Sequence, residues 1–201
     1  MQVIKSIEQG GEDWLNIRMG FVTASKFKDV QAKGAGKTRK TYMYQIAAEI
    51  ITGEREEGFS SKSIEHGTYT EPTARAMYEL DNGVDVEQIA FAHFDDIKIG
   101  CSPDGLVGDR GLVEIKCPNT TTQIETFLSG KMPTSHMAQV QGQMWVMDRD
   151  WCDFVSFDPR INGAASYFCT RIEKNEDYCK DLARECSMFL AELEEIIKKL
   201  T

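Results

Sequence analysis

The run GCSPDGLVGDRGLVEIKCP, Gly100 to Pro118, sets Asp104, Glu114 and Lys116 among residues that otherwise belong in a core. Its second half, GLVEIKC, alternates at the period of a strand. Leu112, Glu114 and Lys116 fall on one face, Val113, Ile115 and Cys117 on the other. The second face is apolar and is assigned to the core. Glu114 and Lys116 then stand side by side, roughly 7 Å apart along the strand. Asp104 lies in the turn leaving the preceding strand, IKIGCS, and a hairpin brings it beside Glu114. Two carboxylates forced together repel, and one pKa rises unless a cation neutralises them. Hard oxygen ligands suit Mg²⁺ or Mn²⁺, ions that keep open positions for water. The bland alternative is an exposed Glu114–Lys116 ion pair, with Asp104 serving only its Pro-Asp-Gly turn.

Around this run the pattern predicts an alternation of helices and strands. The first third reads as helices: GEDWLNIRMG ended by Gly20, TASKFKDV with Thr23 as N-cap, and TRKTYMYQIAAEIITG stopping at Gly53. SIEHGTYTEPTARAMYELDNG follows, with Pro72 marking a kink or a helix start. VDVEQIAFAHF, IKIGCS and GLVEIKC read as three strands. TTQIETFLSG and HMAQVQGQMWVMD read as helices, and DWCDFVSFD and AASYFCTRI as two more strands. In a long C-terminal helix, Tyr178, Leu182, Cys186, Phe189, Leu193, Ile196 and Leu200 step by three and four, the spacing of one buried face. The expectation is one domain over residues 1–201, of α/β (α+β) class, with a central mixed β-sheet flanked by helices.

Charge first argues against a nucleic-acid partner, because the chain carries −9. The distribution weakens that argument. Between Lys26 and Lys40 stand six basic residues (Lys26, Lys28, Lys33, Lys37, Arg39, Lys40) against one acid, Asp29. The segment reads either as a solvated charge run or as a phosphate-contacting patch on an acidic body. None of the six cysteines forms a CxxC pair, so they read as buried thiols rather than metal ligands. GAGKT, Gly34 to Thr38, lacks the leading glycine of a P-loop, having Gln31 there. No run is long and apolar enough for a membrane span, and the N-terminus MQVIKSIEQGGEDW lacks the basic and apolar regions of a signal peptide. A cytoplasmic protein with no membrane partner is expected.

Asp104, Glu114-Ile115-Lys116 and the blocks around them resemble the PD-(D/E)xK nuclease core, a restriction-endonuclease-like fold. More closely they resemble the phage lambda-type exonuclease, or viral recombinase, family. WLNIRMGFVTASKF is similar to that family's N-terminal segment, GTYTEPTAR to its GxxxE helix, CSPDGL and LVEIKCP to its metal-site strands, HMAQVQGQMWV to its MAQVQ helix, and FVSFDPR to its late strand. The resemblance implies Asp104 and Glu114 as metal ligands, with the Ile115 carbonyl assisting and Glu71 adding a carboxylate. It implies that Lys116 orients or polarises the attacking water and that Gln139 positions water or substrate. It implies Arg18, Ser25 and Ser102 as the pocket for a terminal 5′-phosphate, and Ile64 as a wedge at the end base pair. Lys37 and Arg39, in the basic segment, would line the DNA path.

Each residue also has an ordinary role available. Glu71 suits a helix start beside Pro72, Gln139 an exposed helix face, Arg18 a pair with Glu12 or Asp13, Ser25 a helix start, and Ile64 a core position. The resemblance further implies two Mg²⁺ per active site, with Mn²⁺ as a substitute, and 5′→3′ hydrolysis of duplex DNA ends to 5′-mononucleotides and a 3′ overhang. It implies a homotrimeric ring, a single-strand annealing protein as partner, and a phage or prophage origin in a bacterial cytoplasm. The alternatives are a RecB-like or repair nuclease of different polarity and a catalytically silent DNA-end clamp.

Overall fold

The computed structural model describes residues 1–33, 36–55 and 62–201, with the backbone alone at 62–65 and 68. Along it run β1 (Gln2–Ile4), α1 (Glu12–Ile17), β2 (Val22–Thr23), α2 (Phe27–Val30), α3 (Thr38–Thr52), α4 (Lys62–Asn82), β3 (Val86–Glu87), β4 (Phe91–His93), β5 (Ile99–Cys101), β6 (Gly105–Val107) and β7 (Gly111–Lys116). Then come α5 (Thr120–Ser129), α6 (Met137–Met147), β8 (Trp151–Phe157), β9 (Tyr167–Glu173) and α7 (Glu176–Leu200). Among the described residues no helix is long and apolar enough to cross a membrane.

The strands form two mixed sheets rather than one, in the orders β1-β4-β5-β2 and β3-β6-β7-β8-β9. Ser102-Pro103-Asp104 is the passage between them. Pro103 has no N–H to donate, so a ladder does not run through it. The chain leaves β5 in one sheet and re-enters as β6 in the other, with Asp104 at the seam. The expected strand VDVEQIAFAHF splits likewise: β3 pairs with β6, and β4 with β1 and β5. The two- and three-residue strands β1, β2 and β6 have no counterpart in the sequence reading, because so short a segment carries no periodicity.

The larger sheet is packed on both faces. On one side Val113, Ile115, Val155 and Phe157 meet Ala74 and Tyr78 of α4. On the other, Leu112, Cys152 and Phe154 join Val140 and Met144 of α6 and Leu182 and Phe189 of α7 in the main core. The face of β7 that carries Glu114 is therefore interior too, and Glu114 is 0% exposed. That excludes the exposed ion pair: a buried carboxylate must find partners inside the protein.

Helix termini follow the sequence. Gly53 closes α3 at φ 68°, a conformation that costs glycine no steric penalty. Asn119 and Asn175 cap α5 and α7 by accepting from the N–H three residues on. Thr23 precedes a 3-10 turn, Ala24–Lys26, without a capping bond, and Pro72 lies inside α4. Gly142 lets α6 lie close, since a Cβ there would collide with the Phe27 ring. The buried face of α7 is Cys179, Leu182, Cys186, Phe189 and Leu193; Leu200, expected on it, is exposed. The six cysteines are free thiols, four of them buried.

Candidate active site

Glu114 projects from β7 toward α6, and three donors converge on it. Lys116 Nζ and Gln139 Nε2 donate to Oε1, the latter at 2.5 Å, and Gln143 Nε2 donates to Oε2 at 2.6 Å. Gln139 and Gln143 are one helical turn apart on α6, so both amides point the same way. Gly105 pairs with Val113, which sets Asp104 opposite Glu114, and Asp104 Oδ2 accepts the Ile115 N–H at 2.6 Å. Glu71 comes from α4 and is ion-paired with Arg75, one turn further along.

The electrostatics are those of crowded acids. Burial pushes the Asp104 carboxyl well above its usual range, and Glu114 and Glu71 push the same way against Lys116 and the Ile115 N–H. Burial also raises Glu71, with Glu114 adding to it and Arg75 opposing it. Burial depresses the Lys116 ammonium, but Glu114 and Asp104 outweigh that and lift it above the ordinary lysine value.

A cavity of about 800 Å³ holds all of these groups together with Arg18, Ser25 and Ser102. Arg18 is stacked 3.8 Å over the Trp14 ring. Among the described residues its guanidinium has no carboxylate partner, neither Glu12 nor Asp13, and its Nε is buried without a hydrogen bond. Burial brings its pKa down to about 10. Ser25 is exposed at the cavity, 3.4 Å from the Thr23 hydroxyl. Ser102 is otherwise engaged. Its hydroxyl donates to the Ala90 carbonyl at 2.7 Å and accepts from Trp14 Nε1 at 3.1 Å. Its single proton is spent, so it braces Trp14 rather than offering a donor to a phosphate.

Two expected residues lie outside the cavity wall. Arg39, expected on a DNA path, makes a two-pronged pair with Glu192 of α7 and donates to the Val30 carbonyl. Its charge is invested in fastening α3 to α7. Lys37 is exposed at the start of α3, outside the cavity wall. The Ile64 side chain lies outside the described residues. Ile115 enters through its N–H to Asp104. Arg75 and Gln143 are cavity residues that the sequence reading missed. The i, i+4 spacing of Glu71 and Arg75 was a usable signal for the first.

Among the described residues no three His, Cys, Asp or Glu side chains stand so as to hold a metal ion. The reason is visible in the bonds. Amides and an ammonium occupy the oxygens of Glu114, Arg75 holds Glu71, and a backbone N–H holds Asp104. The donor chemistry nevertheless fits a hard divalent cation: three carboxylates meet in one chamber, burial and the neighbouring acids push Asp104 and Glu71 up, and such an ion relieves the repulsion.

Solved structures with this fold exist. An alkaline exonuclease from Laribacter hongkongensis (LHK-Exo) is 43% identical, with a TM-score of 0.89 over 94% of this chain and 96% of that one. A second structure, of LHK-Exo in complex with dAMP, matches at 44% identity over the same shares, also with a TM-score of 0.89. A phage-related exonuclease from Haemophilus somnus 129PT matches at 16% identity and a TM-score of 0.73 over 90% of this chain and 96% of that one, a likeness of fold alone. The fold is thus the expected PD-(D/E)xK one. Escherichia coli (strain K12) ExoD, described as uncharacterized, is 30% identical over 67 residues, 33% of this chain and 76% of that protein. Residues 13–150 match the YqaJ-like viral recombinase domain, which contains all of the cavity residues discussed above, and the chain belongs to that family.

Proposed function

We propose that this chain is a metal-dependent exonuclease that starts at 5′-phosphorylated ends of duplex DNA, proceeds 5′→3′, releases 5′-mononucleotides and leaves a 3′ single strand. The observation that carries this reading is the shared cavity: an acid cluster with a lysine, and a half-buried arginine with no carboxylate partner among the described residues, open into one chamber. The Laribacter relative, an alkaline exonuclease, and its complex with dAMP, a mononucleotide, support it.

Asp104, Glu114 and Glu71, with the Ile115 carbonyl, would hold Mg²⁺, or Mn²⁺ in its place, two per site. Such ions lower the pKa of an attacking water and disperse charge on the phosphoryl oxygens. Lys116 holds a proton at Nζ, where it orients the nucleophile and steadies developing negative charge. Gln139 fixes the Glu114 carboxylate and donates toward the same chamber. At the other part of the cavity Arg18 and Ser25 receive the terminal phosphate. A terminal monophosphate carries more charge than an internal diester, so charge-assisted bonds to Arg18 favour ends over internal sites. Trp14 holds the planar guanidinium in place by stacking.

The wider assignment follows the family: a role in phage-type recombination in a bacterial cytoplasm, a single-strand annealing protein as partner, and a homotrimeric ring around the duplex. Lys28, Lys33, Lys37 and Lys40 are exposed and, among the described residues, have no carboxylate partner, so they remain available to phosphates. The test compares linear duplex with the same sequence as a covalently closed circle, in Mg²⁺ and in EDTA. Mg²⁺-dependent release of mononucleotides from the linear form, with the circle intact, is expected. Nicking of the circle, or release in EDTA, contradicts the proposal.

A further inference from the structure

We propose that Gln143 is a positioning residue for Glu114, one that fixes the carboxylate's orientation toward a bound metal ion. The inference rests on the reading of Glu114 as a metal ligand. Gln143 and Glu114 are both 0% exposed, and Gln143 Nε2 donates to Glu114 Oε2 at 2.6 Å. Lys116 and Gln139 share the other oxygen, Oε1, so Gln143 alone among the described residues restrains Oε2. Without it the carboxylate is held at one corner and is free to swing about that contact.

The amide orientation is decided by chemistry. A flipped amide would aim Oε1 at an acceptor-only carboxylate, an arrangement that repels. The same bond leaves Gln143 Oε1 buried without a protein partner. An amide also suits the place for an electrostatic reason. It orients Glu114 by hydrogen bonding without neutralising it, so the negative charge stays available to a cation. A second lysine would compete with the metal, and an apolar residue would leave Oε2 unpaired.

The test measures Mg²⁺ binding by calorimetry, without DNA, for the wild type, Gln143→Met and Gln143→Leu, alongside steady-state kinetics on linear duplex. Gln143→Met keeps the length and deletes the donor; Gln143→Leu covers the case in which the methionine packs badly. Expected is a weakening of Mg²⁺ binding by about 10- to 100-fold and a kcat lower by a similar factor. KM for DNA should be unchanged and the Tm should stay within a few degrees, since each variant also removes the unpartnered oxygen. A lower Tm with Mg²⁺ binding and kcat unchanged means a purely structural role and overturns the inference. A wild type that binds no Mg²⁺ contradicts the metal reading itself and, with it, this role for Gln143.

Discussion

Two buried carboxylates occupy neighbouring strands of one sheet and have opposite surroundings. Asp153 of β8 pairs with Val113 of β7, so it shares the α4 face of the sheet, while Glu114 faces α6. Asp153 is 3% exposed and Glu114 0%. Arg171 grips Asp153 with two bonds of 2.8 Å, Tyr78 adds a third at 2.7 Å, and Trp151 stacks beneath the guanidinium. Every demand of that charge is met by a dedicated cation in fork geometry. Glu114 receives two neutral amides and one lysine, and that lysine is shared with Asp104 and Glu71. A carboxylate that serves the fold is neutralised. The one in the cavity is oriented but left short of positive charge, and that shortage is what a divalent cation fits.

Substitutions should separate the two acids. Glu114→Ala should reduce exonuclease turnover to background while Tm changes little, because relief of the repulsion with Asp104 and Glu71 offsets the donors stranded on Lys116, Gln139 and Gln143. A variant that still turns over would remove Glu114 from the site. Asp153→Ala should do the reverse. It strands Arg171 and Tyr78 and should cost about 3 kcal/mol, at the low end for a broken buried pair since Arg171 remains half in water. Denaturant titration checks this, with the folded fraction keeping its kcat. Arg18→Ala should slow cleavage of 5′-phosphorylated ends by about 10- to 100-fold, the worth of a charge-assisted bond, and leave 5′-hydroxyl ends nearly untouched. Equal loss on both ends would show that the arginine does not read the phosphate. The smallest effects belong to the basic segment. Arg39→Ala should lower stability by about 1 kcal/mol, as for a partly exposed pair. Lys37→Ala should instead flatten the salt dependence of DNA binding by about one unit of slope, if it meets a phosphate.

Much of this contrast was legible in the amino-acid order, and the rest was hidden for physical reasons. The alternation in GLVEIKC depends only on strand geometry and appears in the fold; Asp104 does stand opposite Glu114, but through the hairpin of β6 and β7, not through a pairing of IKIGCS with GLVEIKC, which lie in different sheets. The same alternation misled about burial. It marked the Glu114 face as polar, yet α6 covers it, and nothing local to β7 announces which helix will pack there. The division into two sheets was hidden because β1, β2, β3 and β6 are two or three residues long. Gln143 was invisible because a glutamine on a helix reads as solvated, and only the partner on β7 makes it interior. Arg39 was assigned to DNA on charge alone. Its partner Glu192 lies 153 residues away, beyond the reach of any local pattern. Ser102 had the right type for a phosphate pocket, but its hydroxyl proton goes to a carbonyl that only the tertiary fold supplies.

The central claim is that one chamber joins end recognition to metal-dependent hydrolysis. Its most direct test is a linear duplex with a 5′-phosphate at one end and a 5′-hydroxyl at the other, each strand labelled, incubated with Mg²⁺. The account predicts mononucleotides released from the phosphorylated strand first and much faster, with the opposite strand persisting as single-stranded product. Equal release from both ends, or loss beginning at a 3′ end, would contradict it.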